Sequence, residues 1–264
     1  MGNEMITAQL EGDVFFIALN RPEKRNAIPV EMMWELGEAI ERAGAERKAR
    51  SVIIRGEGKC FSSGIDLNSL AQIGGLVSSP PEFRAILTRM QGVFNRMEML
   101  EKPVICAMHC MCIGMAMELA LAADFRIAAE GTVFSIPEAA LGLIPDVGGT
   151  SRLTKIVGPA HAKELILLCR KIDAARAREI GLVTEVSPEG QLMEAALSMA
   201  AEAAAAAPLA VGIAKKIINR GAHLDTLTFQ ELEAYAQSAL IGTDDVKEGI
   251  MAKAQKRPPQ FKGK

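Results

Sequence analysis

Aromatic residues are scarce in this chain, 4% in all, with one tryptophan and one tyrosine. That scarcity argues against a platform of rings for stacking bases or sugars. Dense runs of lysine or arginine are missing too, and 30 basic against 32 acidic residues leave a formal charge of −2. Neither nucleic acid nor an anionic membrane surface is expected as the main partner. The most apolar run, residues 103–117, holds His109 and stops at Glu118, which is too short and too interrupted to span a bilayer. Cysteines number five, an odd count, and residues 1–5 lack the cationic and apolar regions of a secretory leader. Reduced thiols and a cytoplasmic location are the expectation.

What is present is a chain of 264 residues, 49% hydrophobic and 23% charged, enough for one large domain with a sizeable core. Residues 14–19 (Val-Phe-Phe-Ile-Ala-Leu) and 51–55 (Ser-Val-Ile-Ile-Arg) predict strands, as does the run starting at Pro103. Between them, Pro29 opens a helix whose Val30, Met33, Trp34, Gly37, Ile40 and Ala43 recur at helical spacing, and residues 81–100 predict another. Strands alternating with helices indicate an α/β fold with mostly parallel pairing. Beyond residue 155 the pattern turns helical: 160–168, 174–180, 191–206, 208–218, 225–240 and 244–254, with a small strand at 182–186. A soft boundary near 200 divides an α/β body, 1–200, from a helical part, 201–264.

The chemistry concentrates in residues 103–149. Glu118, Glu138 and Asp146 fall there in apolar or glycine-rich surroundings, where a carboxylate costs free energy unless paired, hydrogen-bonded or protonated. Two glycine-containing turns, 58–67 and 112–115, each lead from a strand toward a helix, and N–H groups from two such turns can hold a developing oxyanion. Each feature also has a plain structural account. The first turn reads as an ordinary loop, Glu118 as a partner of its own helix dipole, Glu138 as an exposed loop acid, and Asp146 as the cap of a following helix. Cys106, His109, Cys110 and Cys112 resemble a metal cluster on paper, but alternate strand residues face opposite ways, so buried thiols are expected instead. His161 and His223 have no nearby serine or cysteine in a nucleophile-like turn.

Several motifs in order resemble the crotonase, or enoyl-CoA hydratase/isomerase, superfamily across nearly the whole chain. They are Leu19-Asn20-Arg21-Pro22, Asn26-Ala27, residues 61–67, 102–107, 114–120, 123–128, 134–153, 177–186 and 248–261. The resemblance implies a spiral of ββα/βαβ turns with a helical C-terminal region that builds trimers, often paired into hexamers. It implies an oxyanion hole from the backbone N–H groups of Ile65 and Met115, and Glu118 with Glu138 as two catalytic glutamates. Lys24, Arg25, Ala27, Ser62, Ser63 and Asp66 correspond to the walls of the coenzyme A site, and Lys262 to a lysine reaching CoA phosphate from a neighbouring subunit. The substrate implied is an acyl-CoA thioester of the kind handled in fatty-acid β-oxidation, with no metal or redox cofactor.

The departures bear on the reaction. Met115 stands where simple hydratases usually have glycine, and Lys253 where many members have an aromatic. Residues 64–67 and 145–148 are similar to dienoyl-CoA isomerases, in which a carboxylate at the Asp146 position works with the one at Glu138. Those isomerases carry aspartate where this chain has Glu118. Both glutamates together favour hydration of a 2-enoyl-CoA, with isomerisation of a 3-enoyl- or dienoyl-CoA second. A non-catalytic binding protein on the same fold is a third reading, disfavoured by the retained glutamates and loop glycines.

Overall fold

A computed structural model describes residues 4–76 and 79–264, so most of the stretch 1–5 lies outside the described residues. The chain opens with an antiparallel hairpin, β1 (Ile6–Glu11) and β2 (Val14–Leu19), turned at Gly12 with φ +61°. β1 was not expected, although Ile6, Ala8 and Leu10 alternate with Thr7, Gln9 and Glu11 as in a half-solvated strand. Helix α1 (Val30–Ala45) comes next, starting one residue later than expected, with Pro29 as its N-cap and not its first residue. It buries Met33, Gly37, Ile40 and Ala43 of the expected stripe, while Trp34 stays half-buried under the Arg89 guanidinium at 3.9 Å. Beyond it lie β3 (Ser51–Gly56), α2 (Leu67–Leu76) and α3 (Pro80–Met99).

Two successive turns carry the stretch of interest: β4 (Val104–Met108), β5 (Met111–Ile113) and α4 (Met115–Leu121), then β6 (Phe125–Ala129) and β7 (Val133–Ser135). Helix α5 (Gly149–Leu167) joins two expected helices across a break at Gly158, φ +77°, next to Pro159. β8 (Ile172–Asp173), α6 (Ala174–Glu179) and β9 (Glu185–Ser187) complete the spiral. The expected strand at 182–186 is thus shifted: Leu182 and Val183 are buried anchors, and strand pairing begins only at Glu185. Helices α7 (Leu192–Ala204), α8 (Pro208–Gly221), α9 (Thr226–Leu240) and α10 (Asp244–Ala254) end the chain.

The later turns of the spiral, β4–β5, β6–β7 and β8–β9, each lay one strand in each of two sheets. The larger has the order β1-β2-β3-β4-β6-β9, parallel after the first pair, and the smaller is β5-β7-β8. β2 and β4 are buried along their whole length and β3 nearly so, which is why they read as continuous apolar runs. One face packs on α1 and α3. The other packs on α7, whose Ala196 and Ala200 approach Val14, Ile53, Ile105 and Ile127 closely because they have so little side chain. The expected boundary at residue 200 therefore falls inside a helix that covers the sheet. Among the described residues no single helix is long and apolar enough to cross a membrane. Helix α9 buries none of its residues, leaving Leu227, Tyr235 and neighbouring Ile241 in the open.

Candidate active site

The first wall of the site is the loop after β2. Asn26 is fully buried in a left-handed conformation (φ +51°); its amide donates to the carbonyls of Glu57 and Cys60, and its oxygen accepts from Arg21 N–H. This lock holds residues 21–27 against the turn after β3 and brings Lys24 and Ala27 to a cavity, together with Ser63. Ser62 does not reach it. Its hydroxyl is fully buried, donating to the Asn26 carbonyl and accepting from Gly64 N–H, so the Ser62 side chain ties down the loop and does not face the cavity. Asp66 lines the cavity, but its carboxylate also accepts from Asn68 and Ser69 N–H at the start of α2 and pairs with Arg21 at 3.2 Å. Burial opposes its ionisation, yet Arg21 and those N–H groups together hold it below the usual carboxylate range.

Two backbone N–H groups converge here. Ile28 N–H donates to Gly64 C=O and Asp66 N–H to Ile28 C=O, the pattern of a parallel bridge, which turns the intervening Ile65 N–H away. Met115 is the first residue of α4, so its N–H has no acceptor within the helix. Neither N–H finds a backbone partner among the described residues. Gly64 (φ +91°) sits between them: a Cβ placed there would strike the Ile113 carbonyl oxygen and lie 3.4 Å from Met115 N. Gly114 (φ +56°) has its Cβ site 2.7 Å from Glu138 Oε1, at the end of a side chain. Backbone conformation favours glycine at both positions, and contact with backbone requires it at Gly64.

The three carboxylates meet in the same cavity, of about 900 Å³. Glu118, in the first turn of α4, is 2% exposed, and its Oε1 accepts from Val147 N–H at 2.9 Å and Gly149 N–H at 2.8 Å. It therefore caps the start of α5, not its own helix. Helix α5 has Gly148 as N-cap with no side-chain cap bond, so the expected cap from Asp146 is not what the chain uses. Burial, chiefly, pushes the Glu118 carboxyl up to about 8, with the Glu138 and Asp146 charges adding and the two N–H groups opposing. Glu138 lies just after β7 at the head of a short 3-10 turn, Glu138–Leu141. Burial raises its pKa, and the Asp146 charge adds to that. Its Oε2 is buried without a hydrogen-bond partner among the described residues. Asp146 is raised by burial as well. Three acids this close titrate as a set.

An apolar wall completes the cavity: Leu67, Leu70, Phe83, Leu141, Leu143 and Ile144. Ile144 is 67% exposed and Leu141 56%, and beside Leu67 and Leu143 they give the cavity a continuous apolar face. Sequence reasoning missed this wall. Its one local signal was the Leu141-Gly142-Leu143-Ile144 run shortly after Glu138. The remaining expected site residues lie elsewhere. Arg25 is exposed outside the cavity lining, and Lys262 is tied through its N–H to Asp245 in a separate cleft of about 300 Å³. Cys106 and Cys112 are core thiols with raised pKa, Cys110 is exposed, and the His109 ring bonds the Gly58 carbonyl. A second cavity of about 850 Å³ beside α8 contains charge that is already paired, Lys215 Nζ lying 2.6 Å from Asp124.

Two free N–H donors facing buried acids beside an apolar wall suit an acyl compound that develops negative charge on oxygen while a proton moves nearby. Known proteins of similar sequence agree. The chain is 34% identical over 253 residues to the short-chain-enoyl-CoA hydratase of Clostridium acetobutylicum, covering 96% of this chain and 95% of that one. It is 33% identical to the peroxisomal Delta(3,5)-Delta(2,4)-dienoyl-CoA isomerase of Arabidopsis thaliana, covering 98% and 96%. A crystal structure of enoyl-CoA hydratase from Bacillus anthracis superposes with a TM-score of 0.91 at 35% identity, covering 98% of this chain and all of that one. The family model for enoyl-CoA hydratase/isomerase matches residues 9–264, and the spiral, the cavity and these relatives together make the chain a member of that acyl-CoA-utilising enzyme family.

Proposed function

We propose that the protein is an enoyl-CoA hydratase that adds water across the 2,3 double bond of a 2-enoyl-CoA. The observation that carries this reading is the pairing of Glu118 and Glu138 in one cavity with the free N–H groups of Ile65 and Met115. Burial, with the Glu138 and Asp146 charges adding, raises Glu118, and burial with the Asp146 charge raises Glu138, so the working state is taken to carry one proton between the two glutamates. The charged member takes a proton from a water molecule, whose oxygen bonds to Cβ. The π electrons move to the thioester oxygen, where the two N–H groups hold the enolate, each worth about 3 kcal/mol by analogy with other oxyanion donors. The proton of the neutral member is delivered to Cα, and the proton taken from water restores the shared state. Lys24, Ala27, Ser63 and Asp66 form the coenzyme A end, and the Leu141–Ile144 side the acyl end. Exposed Leu227 and Tyr235 on α9 support assembly of the C-terminal helices into a homotrimer or hexamer.

The sign of the shift sets the pH dependence. The competent state holds one proton between the glutamates, and that proton leaves as pH rises through about 8. The kcat/KM profile for crotonyl-CoA is expected to fall on its alkaline side near pH 8. A profile level well above that pH would remove the shared proton from the mechanism.

Isomerisation of a 3-enoyl- or 3,5-dienoyl-CoA is the second reading, favoured by the presence of Asp146 in the same cavity and by the Arabidopsis relative. Loss of the conjugated enoyl absorbance of crotonyl-CoA tests the first reading. Absence of hydration, with turnover of a 3,5-dienoyl-CoA, would replace it with the second. Asp146→Asn is expected to lower isomerisation by about 100-fold and hydration much less, read as the ratio of the two rates.

A further inference from the structure

Residues 145–149, which carry Asp146, are gripped from two directions. On the cavity side Glu118 Oε1 holds the N–H groups of Val147 and Gly149. On the far side the grip comes from α3. Gln91 Nε2 donates to the Asp146 carbonyl at 2.6 Å. Arg152 Nη1 donates to the Val147 carbonyl at 3.2 Å, while its Nη2 donates to Asn95 Oδ1 at 2.7 Å and Glu98 Oε2 at 2.9 Å. Arg152 is only 7% exposed, and Gly148 (φ +102°) leaves it room, since any side chain there would collide with the guanidinium. Gln91, Asn95 and Glu98 recur at helical spacing and so share one face of α3. The same helix supplies Phe83 to the apolar wall, about 12 Å upstream along its axis.

These bonds act on the peptide units flanking the Asp146 side chain. Releasing the Asp146 carbonyl lets its peptide plane turn, and the carboxyl swings with it. A displacement near 1 Å is enough to cost about 100-fold in a proton transfer. The Glu98 carboxylate also neutralises Arg152, so the loop is held without a net positive charge beside the acids. We propose that Gln91, Asn95 and Arg152 are positioning residues that fix Asp146 over the acyl chain, and so set how this enzyme divides acyl-CoA between hydration and double-bond migration. The proposal rests on the isomerisation reading above, in which Asp146 is a working acid.

The test compares the full-length chain with Asp146→Asn, Gln91→Met and the double variant, using crotonyl-CoA and a 3,5-dienoyl-CoA. Asn95→Leu is an independent second probe should Gln91→Met fold poorly. Gln91→Met is expected to lower kcat about tenfold, with KM little changed, in the same reaction that Asp146→Asn impairs. The double variant is expected to be no slower than Asp146→Asn alone, because a positioning residue has nothing left to position. Parallel losses in both reactions together with a lowered Tm, effects that multiply in the double variant, or no effect of Gln91→Met and Asn95→Leu would each overturn the proposal. A silent Asp146→Asn in the otherwise intact chain would remove the third acid itself, and the positioning role with it. That outcome is distinguished by the arm in which Gln91 is untouched.

Discussion

Exchange of Glu138 for glutamine is expected to lower kcat/KM for crotonyl-CoA by about 1,000-fold, within the range for loss of a positioned proton carrier. Glutamine matches the shape of the carboxylate and cannot exchange a proton at neutral pH. Among the described residues Glu138 Oε2 has no hydrogen-bond partner, so the change dismantles no side-chain network. Stability should move the other way. Burial raises the folded-state pKa of Glu138 above its unfolded value. The stability this group contributes is therefore complete below the unfolded pKa and is lost as pH rises through the folded one. The amide has no such loss, so the variant should melt above the parent at alkaline pH and alongside it in acid. Differential scanning across pH, with steady-state rates, checks both halves. Retention of a tenth or more of the parent activity would take Glu138 out of the mechanism.

Gly64→Ala is the second large effect, expected at 100-fold or more in kcat with the glutamates untouched. At φ +91° an added Cβ meets the Ile113 carbonyl oxygen, a backbone atom that moves only if residues 113–115 move together. Met115 N–H lies at the end of that segment, so the variant pulls one expected oxyanion donor away from the other. Loss of a single such donor costs about 100- to 1,000-fold in other acyl-transfer enzymes, on the order of 3 to 4 kcal/mol. Gly131→Ala separates this from simple backbone strain. Gly131 also has a left-handed conformation, φ +78°, but a Cβ there meets nothing within 4 Å. It should lose stability comparably and keep activity within about twofold. If both variants lose activity alike, the strain is the cause and the oxyanion hole is not.

How much of this was legible beforehand depended on how local each signal was. β2, β3 and β4 stood out because both their faces are buried, and α1 because its buried positions recur at helical spacing. β1 carried a signal of another kind, Ile6, Ala8 and Leu10 alternating with Thr7, Gln9 and Glu11, which a reading keyed to continuous apolar runs passes over. Glu118 and Glu138 were found because acids in apolar company are costly, and the resemblance then gave them roles. The cap of α5 was misread because its acceptor, Glu118, lies about 30 residues upstream, beyond any local pattern. The placement of the Ser62 hydroxyl was not legible, because a small polar residue near Gly64 looks the same whether it faces a ligand or ties down a loop. The apolar wall joins residues 67, 70 and 83 to residues 141–144, and only the closed spiral brings them to one surface.

Glu118 caps a helix and lines the cavity with the same side chain. Helix capping asks only for an acceptor at that spot; proton exchange asks for an acid. A descendant that abandoned the chemistry and kept the fold would still need something at 118 to receive the two peptide N–H groups that open α5. Glutamine would serve there and leucine would not. If position 118 exchanges a proton as proposed, an amide there would keep the architecture and lose that exchange, whereas an acid meets both demands.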